Sequence, residues 1–203
     1  MLSSLKLGSL SLIMCGIASG CLALSECLLC NMVPVVQAKD KQEHDLPNFH
    51  QVEPFLFRGG QPRGKGLEKL QQMGIKTVIN LRGGKQPLKE QAECNKLGLK
   101  FISIPISHHH APANSDVEQF LQIVQEAKED PSKGSVFVHC KAGEDRTGCM
   151  IALYRVKEDG WTSRQACDEM QKLGFHSIFR ELTKSVRQAE QNKIQSTTKA
   201  ENK

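Results

Sequence analysis

From Phe55 onward, two spacings of apolar residues take turns along the chain. Phe55 to Phe57 reads as a short strand. Leu67 to Met73 has helical spacing and stops at Gly74; Ile75 to Leu81, rich in β-branched residues, reads as the next strand. Leu88 to Leu97 predicts a helix ended by Gly98, and Leu99 to Ile104 a strand stopped by Pro105. A polar loop from Ile106 to Asn114 holds three adjacent histidines. Ser115 and Glu118 have capping-box spacing for a helix to about Glu129, with an apolar stripe of Val117, Phe120, Leu121, Val124 and Ala127. Asp130-Pro131 ends it. The strand Ser135 to Val138 and the helix formers Met150 to Tyr154 flank a short loop. Thr162 with Gln165 caps a helix from Ser163 to Leu173, and Ser177 to Lys193 predicts a peripheral helix. This alternation predicts an α/β fold, with a central, mainly parallel sheet, helices on both faces and the short loop at a strand's C-terminal end.

The ends differ from this middle. Leu7 to Ser25 contains no charged residue, Lys6 precedes it, and Val36-Gln37-Ala38 has the small-residue spacing of a signal-peptidase site. Residues 1–38 therefore read as a leader and the protein as exported, periplasmic or secreted after cleavage. Ala18-Ser19-Gly20-Cys21 and the length of the apolar run leave a lipid anchor or an uncleaved membrane tether open. Residues 39–54 read as a polar linker, 55–192 as the domain and 193–203 as a disordered tail.

Of the eight cysteines, Cys15, Cys21, Cys27 and Cys30 fall in the leader. The other four, Cys94, Cys140, Cys149 and Cys167, match no zinc spacing and are too sparse for a disulfide scaffold. A net charge of +5 helps recruit anions but is far from the basic stripe of a nucleic-acid binder.

The chemistry concentrates in His139-Cys140-Lys141-Ala142-Gly143-Glu144-Asp145-Arg146-Thr147-Gly148. Gly143 permits a sharp turn, so the N–H groups of Lys141, Ala142, Gly143 and Glu144 can converge on an anion, and the next helix adds its positive end. The same field favours the thiolate of Cys140, the nucleophile. Arg146 can fork onto two phosphate oxygens and follow charge during transfer. Thr147 can donate to the sulfur as it leaves, and His139 can brace the loop from beneath. An ordinary buried cysteine or an inert phosphate-binding module is the alternative for Cys140.

His-Cys, five residues, Arg, Thr, with the central glycine and the flanking strand and helix, resembles the signature of the protein tyrosine phosphatase superfamily. Leu56-Phe57-Arg58-Gly59-Gly60-Gln61-Pro62 and Ile75 to Arg82 look like the opening of its compact dual-specificity branch. Cys-Lys-Ala-Gly is similar to the tyrosine-phosphatase-like inositol polyphosphate phosphatases, and Asp145 before the arginine to bacterial lipid and tyrosine phosphatases. The resemblance implies a phosphomonoesterase with a phosphocysteine intermediate, needing neither metal nor cofactor. Its substrate would be a phosphorylated small molecule, with inositol polyphosphates favoured, or a phosphoprotein bearing phosphotyrosine. Where the compact phosphatases place their acid aspartate, this chain has Ser107 and His108. Asp145 is therefore the first choice of acid, with His108 and Asp116 as alternatives. Lys141 at the rim could read a second phosphate, Arg58 and Arg82 could reach the cleft or brace loops, and Cys149 or Cys167 could serve as a redox partner of Cys140.

Overall fold

The computed structural model describes residues 44–201. The leader, its four cysteines and the start of the linker lie outside them. Among the described residues no helix is long and apolar enough to cross a membrane.

Five strands form one sheet in the order β1-β2-β5-β3-β4: β1 (His50–Glu53), β2 (Leu56–Gly59), β3 (Ile75–Asn80), β4 (Lys100–Ser103) and β5 (Ser135–His139). Only β1 runs antiparallel, and β5 lies between parallel β2 and β3. A central strand is covered on both faces, so its side chains alternate between two cores. Val136 and Val138 join the core under α3 (Asn114–Glu129), α4 (Asp145–Lys157), α5 (Ser163–Lys172) and α6 (Arg180–Glu201). Phe137 joins the other, under α1 (Gly66–Gln72) and α2 (Gln86–Lys96), with Leu70, Val78 and Cys94. The α/β arrangement expected from the alternating periods is thus present, with β5 delivering the loop to α4.

Three expectations need correction. Residues 46–53 of the stretch read as a linker belong to the domain. Leu46 is buried, Phe49 stacks 5.7 Å from Phe57 and 6.0 Å from Phe137, and His50–Glu53 adds the edge strand. Short apolar residues spaced among polar ones hid this contribution. Ser115 caps nothing, because α3 begins at Asn114 after an extended Ala113, with no side-chain cap. Residues 193–201 of the tail are helical instead of disordered, since α6 continues to Glu201. Lys193 Nζ donates to the Val156 and Lys157 carbonyls at 3.0 and 2.9 Å and ties α6 to the end of α4. The box at Thr162 does form, Thr162 Oγ1 accepting from the Gln165 N–H while Gln165 Oε1 accepts from the Thr162 N–H.

Arg155 fastens the edge strand to the helices. Its guanidinium meets Glu53 at 2.6 Å, Asp159 at 2.7 Å and Glu169 at 3.4 Å, and lies over the Trp161 ring.

Candidate active site

Cys140 leaves β5 buried, and the Gly143 N–H donates to its Sγ at 3.3 Å. The loop has therefore closed around the sulfur. Closure depends on Gly143, whose φ of +82° is left-handed, and whose missing Cβ lets the backbone of Gly59 and Gly60 approach. The Gly-Gly pair after Arg58 thus receives the loop. The Gln61 N–H bonds the Lys141 carbonyl at 3.0 Å from the same segment.

Arg146 sits in the first turn of α4, buried, with Nη1 donating to the Leu81 carbonyl at 3.3 Å. Burial pulls its pKa below the ordinary arginine value, Cys140 works against that shift, and the charge of Arg82 adds to it. Arg146 Nε has no hydrogen-bond partner among the described residues. The arginine is thus anchored at one nitrogen with donor capacity to spare for an oxyanion.

Beneath the loop, His139 is fully buried. Its Nδ1 lies 3.0 Å from the Cys140 carbonyl and its Nε2 3.1 Å from Glu90 Oε1, and Asn80 donates to the other oxygen of Glu90. Burial alone would push the Glu90 carboxyl up, but His139, Asn80 and Gln61 together hold it below its usual range. A buried carboxylate on α2 thus holds the ring that touches the loop.

The remaining expected residues are placed unequally. Lys141 and Ala142 are exposed and Glu144 half-buried at the rim. Thr147 is fully buried, and its Oγ1 has no hydrogen-bond partner among the described residues, so the expected bond to sulfur is not formed here. Asp145 is buried; its Oδ1 accepts the His176 N–H at 2.9 Å and lies 3.1 Å from His176 Nδ1. Glu144, Asp145 and His176 bring their ligand-type atoms within 4.8 Å of one another. His108 joins this side, its ring 5.0 Å from Phe179. Burial, then Arg146, push the His108 pKa down, while Asp145 opposes this. That shift works against an imidazolium acid. Asp116 is a half-buried residue of the first turn of α3, where an acidic group suits the helix dipole.

Cys149 is packed under α6, with Sγ 3.6 Å from the Leu182 carbonyl. Burial pushes its thiol up to about 12, which keeps it protonated and inert, and all four described cysteines are free.

Sequence reasoning missed Asn48, Glu90, His176 and Phe179, and left Arg58 undecided. Asn48 has a left-handed φ of 50° and donates from Nδ2 to the carbonyls of Gly143 and Leu173, both at 3.1 Å. Arg58 Nη2 donates to the same Gly143 carbonyl at 2.6 Å. An arginine inside an otherwise apolar strand was the available signal.

A family model described as a DSP-PTPase phosphatase fused to NAD+ kinase matches residues 25–199. The dual specificity protein phosphatase TpbA of Pseudomonas aeruginosa is 30% identical over 128 residues, 63% of this chain and 55% of TpbA. The inositol diphosphatase DSP4 of Arabidopsis thaliana is 26% identical over 125 residues, 62% of this chain and 63% of DSP4. The chain thus spans little more than half the length of these relatives. The crystal structure of P. aeruginosa TpbA superposes with a TM-score of 0.57 at 25% identity, covering 70% of this chain and 90% of that one. The catalytic domain of the Saccharomyces cerevisiae phosphatase SIW14 gives a TM-score of 0.61 at 20% identity, over 76% of this chain and 93% of that one, a likeness of fold. With the loop, the sheet and the family model in agreement over most of its length, the chain belongs to the DSP-PTPase phosphatase family of the protein tyrosine phosphatase superfamily.

Proposed function

We propose that the protein hydrolyses phosphomonoesters through a phosphocysteine intermediate on Cys140, with inositol polyphosphates as its favoured substrates. The observation that carries the reaction is the closed loop: an N–H on the sulfur of Cys140, and Arg146 pinned to Leu81 with donors left over. A phosphate seated in the loop meets backbone N–H groups, the α4 N-terminus and the Arg146 fork. The thiolate attacks phosphorus, the S–P bond forms as the P–O bond breaks, and the leaving oxygen takes a proton. Water then attacks the phosphocysteine, returning a proton to the acid and releasing phosphate and thiolate. Asp145 is the proposed acid, with His176 holding its Oδ1 and so fixing the carboxyl.

Support for inositol phosphates comes from Cys-Lys-Ala-Gly, the exposed Lys141 and the relatives named inositol diphosphatases. Phosphotyrosine is the second reading, favoured by TpbA, crystallised with phosphotyrosine as a cysteine-to-serine variant. The acidic Glu144 at the rim also disfavours polyanions. A panel of inositol polyphosphates beside phosphotyrosine peptides, at matched ionic strength, separates the two. Higher kcat/KM on the inositols, falling steeply with salt and with Lys141→Ala, supports the proposal; preference for the peptides overturns it. Export is proposed on residues 7–25 and 36–38, and a mature N-terminus retaining residue 1 in a cytosolic fraction would refute it.

A further inference from the structure

Arg58 stands out because, among the described residues, no carboxylate forms the direct ion pair that a buried cation usually requires. It is 1% exposed, it has no ion pair among the described residues, and its Nε and Nη1 have no hydrogen-bond partner there. A buried charge with no direct partner weakens a fold, so a well-packed apolar residue would serve β2 better if stability were its only role. Among the described residues its one side-chain hydrogen bond goes to the catalytic loop, from Nη2 to the Gly143 carbonyl at 2.6 Å, which also accepts from Asn48. In a trans peptide the carbonyl and the following N–H point in opposite directions. Fixing the Gly143 carbonyl toward Arg58 therefore turns the Glu144 N–H the other way, toward the concave side where the Gly143 N–H already meets the sulfur.

We propose that Arg58 is a positioning residue that does two things from behind the loop: it orients the Glu144 N–H toward the bound phosphate, and it supplies a second buried positive charge that favours the Cys140 thiolate. Asn48 shares the first task and not the second. Burial pulls the Arg58 pKa down to about 10, with Glu169 and then Cys140 opposing the shift, so the side chain still carries its charge at neutral pH. Arg58 bonds the Gly143 carbonyl while the Gly143 N–H bonds the sulfur, so it acts through the loop, and neither the motif spacing nor a list of direct contacts to sulfur reveals it.

This rests on the phosphatase reading of the loop, so the test needs no turnover. The full chain is alkylated with iodoacetamide at pH 6, modification of Cys140 is followed by peptide mass spectrometry, and inorganic phosphate is titrated as a protecting ligand. Arg58→Met should slow alkylation about tenfold, because less thiolate is present. It should also raise the half-protecting phosphate concentration about tenfold, from the lost charge and the freed peptide. Arg58→Lys keeps the charge and should recover the alkylation rate to within about threefold. Asn48→Ala should alkylate at the wild-type rate yet need about threefold more phosphate. Wild-type alkylation and protection in Arg58→Met, with only a lowered Tm, would show a merely structural arginine and overturn the proposal. If Arg58→Met does not fold, the neutral but polar Arg58→Gln replaces it, and unchanged values there overturn the proposal equally. Absence of phosphate protection in the wild-type chain would instead sink the phosphatase reading, and the inference with it.

Discussion

Gly143→Ala places one methyl group where two separate effects can be weighed. The first is conformational: φ at Gly143 is +82°, and a Cβ in the left-handed region costs about 1–2 kcal/mol. The second is steric: the Cβ would lie 2.5 Å from Gly60 N and 2.7 Å from the Gly59 carbonyl oxygen, which are backbone atoms of β2 and its exit and cannot rotate away. Overpacking of this kind costs about 1–3 kcal/mol, so the sum is about 2–5 kcal/mol. For a domain of this size each kcal/mol lowers Tm by about 2–4 °C, giving a drop of about 4–20 °C. Gly74→Ala is the matched control, with φ of +83° and nothing within 4 Å of the added Cβ. It carries the first effect alone, about 1–2 kcal/mol. Urea unfolding of both variants, with phosphate protection of Cys140 measured beside it, separates the two. Equal losses in Gly143→Ala and Gly74→Ala, with phosphate binding intact in both, would refute the close packing of the loop on Gly59-Gly60.

Two further outcomes follow from the site's electrostatics. Glu90→Gln should lower stability by about 1–3 kcal/mol at pH 7, because the buried His139 ring loses its carboxylate partner. Since the Glu90 carboxyl is held below its unfolded value, this contribution is present above about pH 4.5 and fades as pH falls through the folded value; urea midpoints of the two proteins should therefore converge in acid, and a constant gap would contradict the assignment. Asp145→Asn should slow alkyl phosphates with poor leaving groups about 10²-fold or more and aryl phosphates with good ones far less; equal slowing would make Asp145 structural and direct the same comparison to His176 and His108.

Much of the fold was legible because its signals are local. The β-branched run at Val136 and the glycine stops at Gly74 and Gly98 report their own backbone, and the ten residues from His139 carry their chemistry in fixed spacing. What was missed depends on contacts across the chain. Asn48 reaches Gly143 over 95 residues and Arg58 over 85. Nothing near Glu90 in sequence marks it as the partner of His139, and His176 meets Asp145 only because α5 returns the chain to the loop. Ser115 misled for the opposite reason: capping spacing was present, but the chain turns into α3 earlier, at Asn114.

The central claim is a covalent phosphoryl group on Cys140. Mixing the full chain with an aryl phosphate, quenching in acid within milliseconds and sequencing the loop peptide by mass spectrometry should find one phosphoryl group on Cys140, absent from Cys140→Ser. The serine variant should keep the fold and bind phosphate. Turnover without any phosphocysteine, or near-normal turnover by Cys140→Ser, would contradict the mechanism outright.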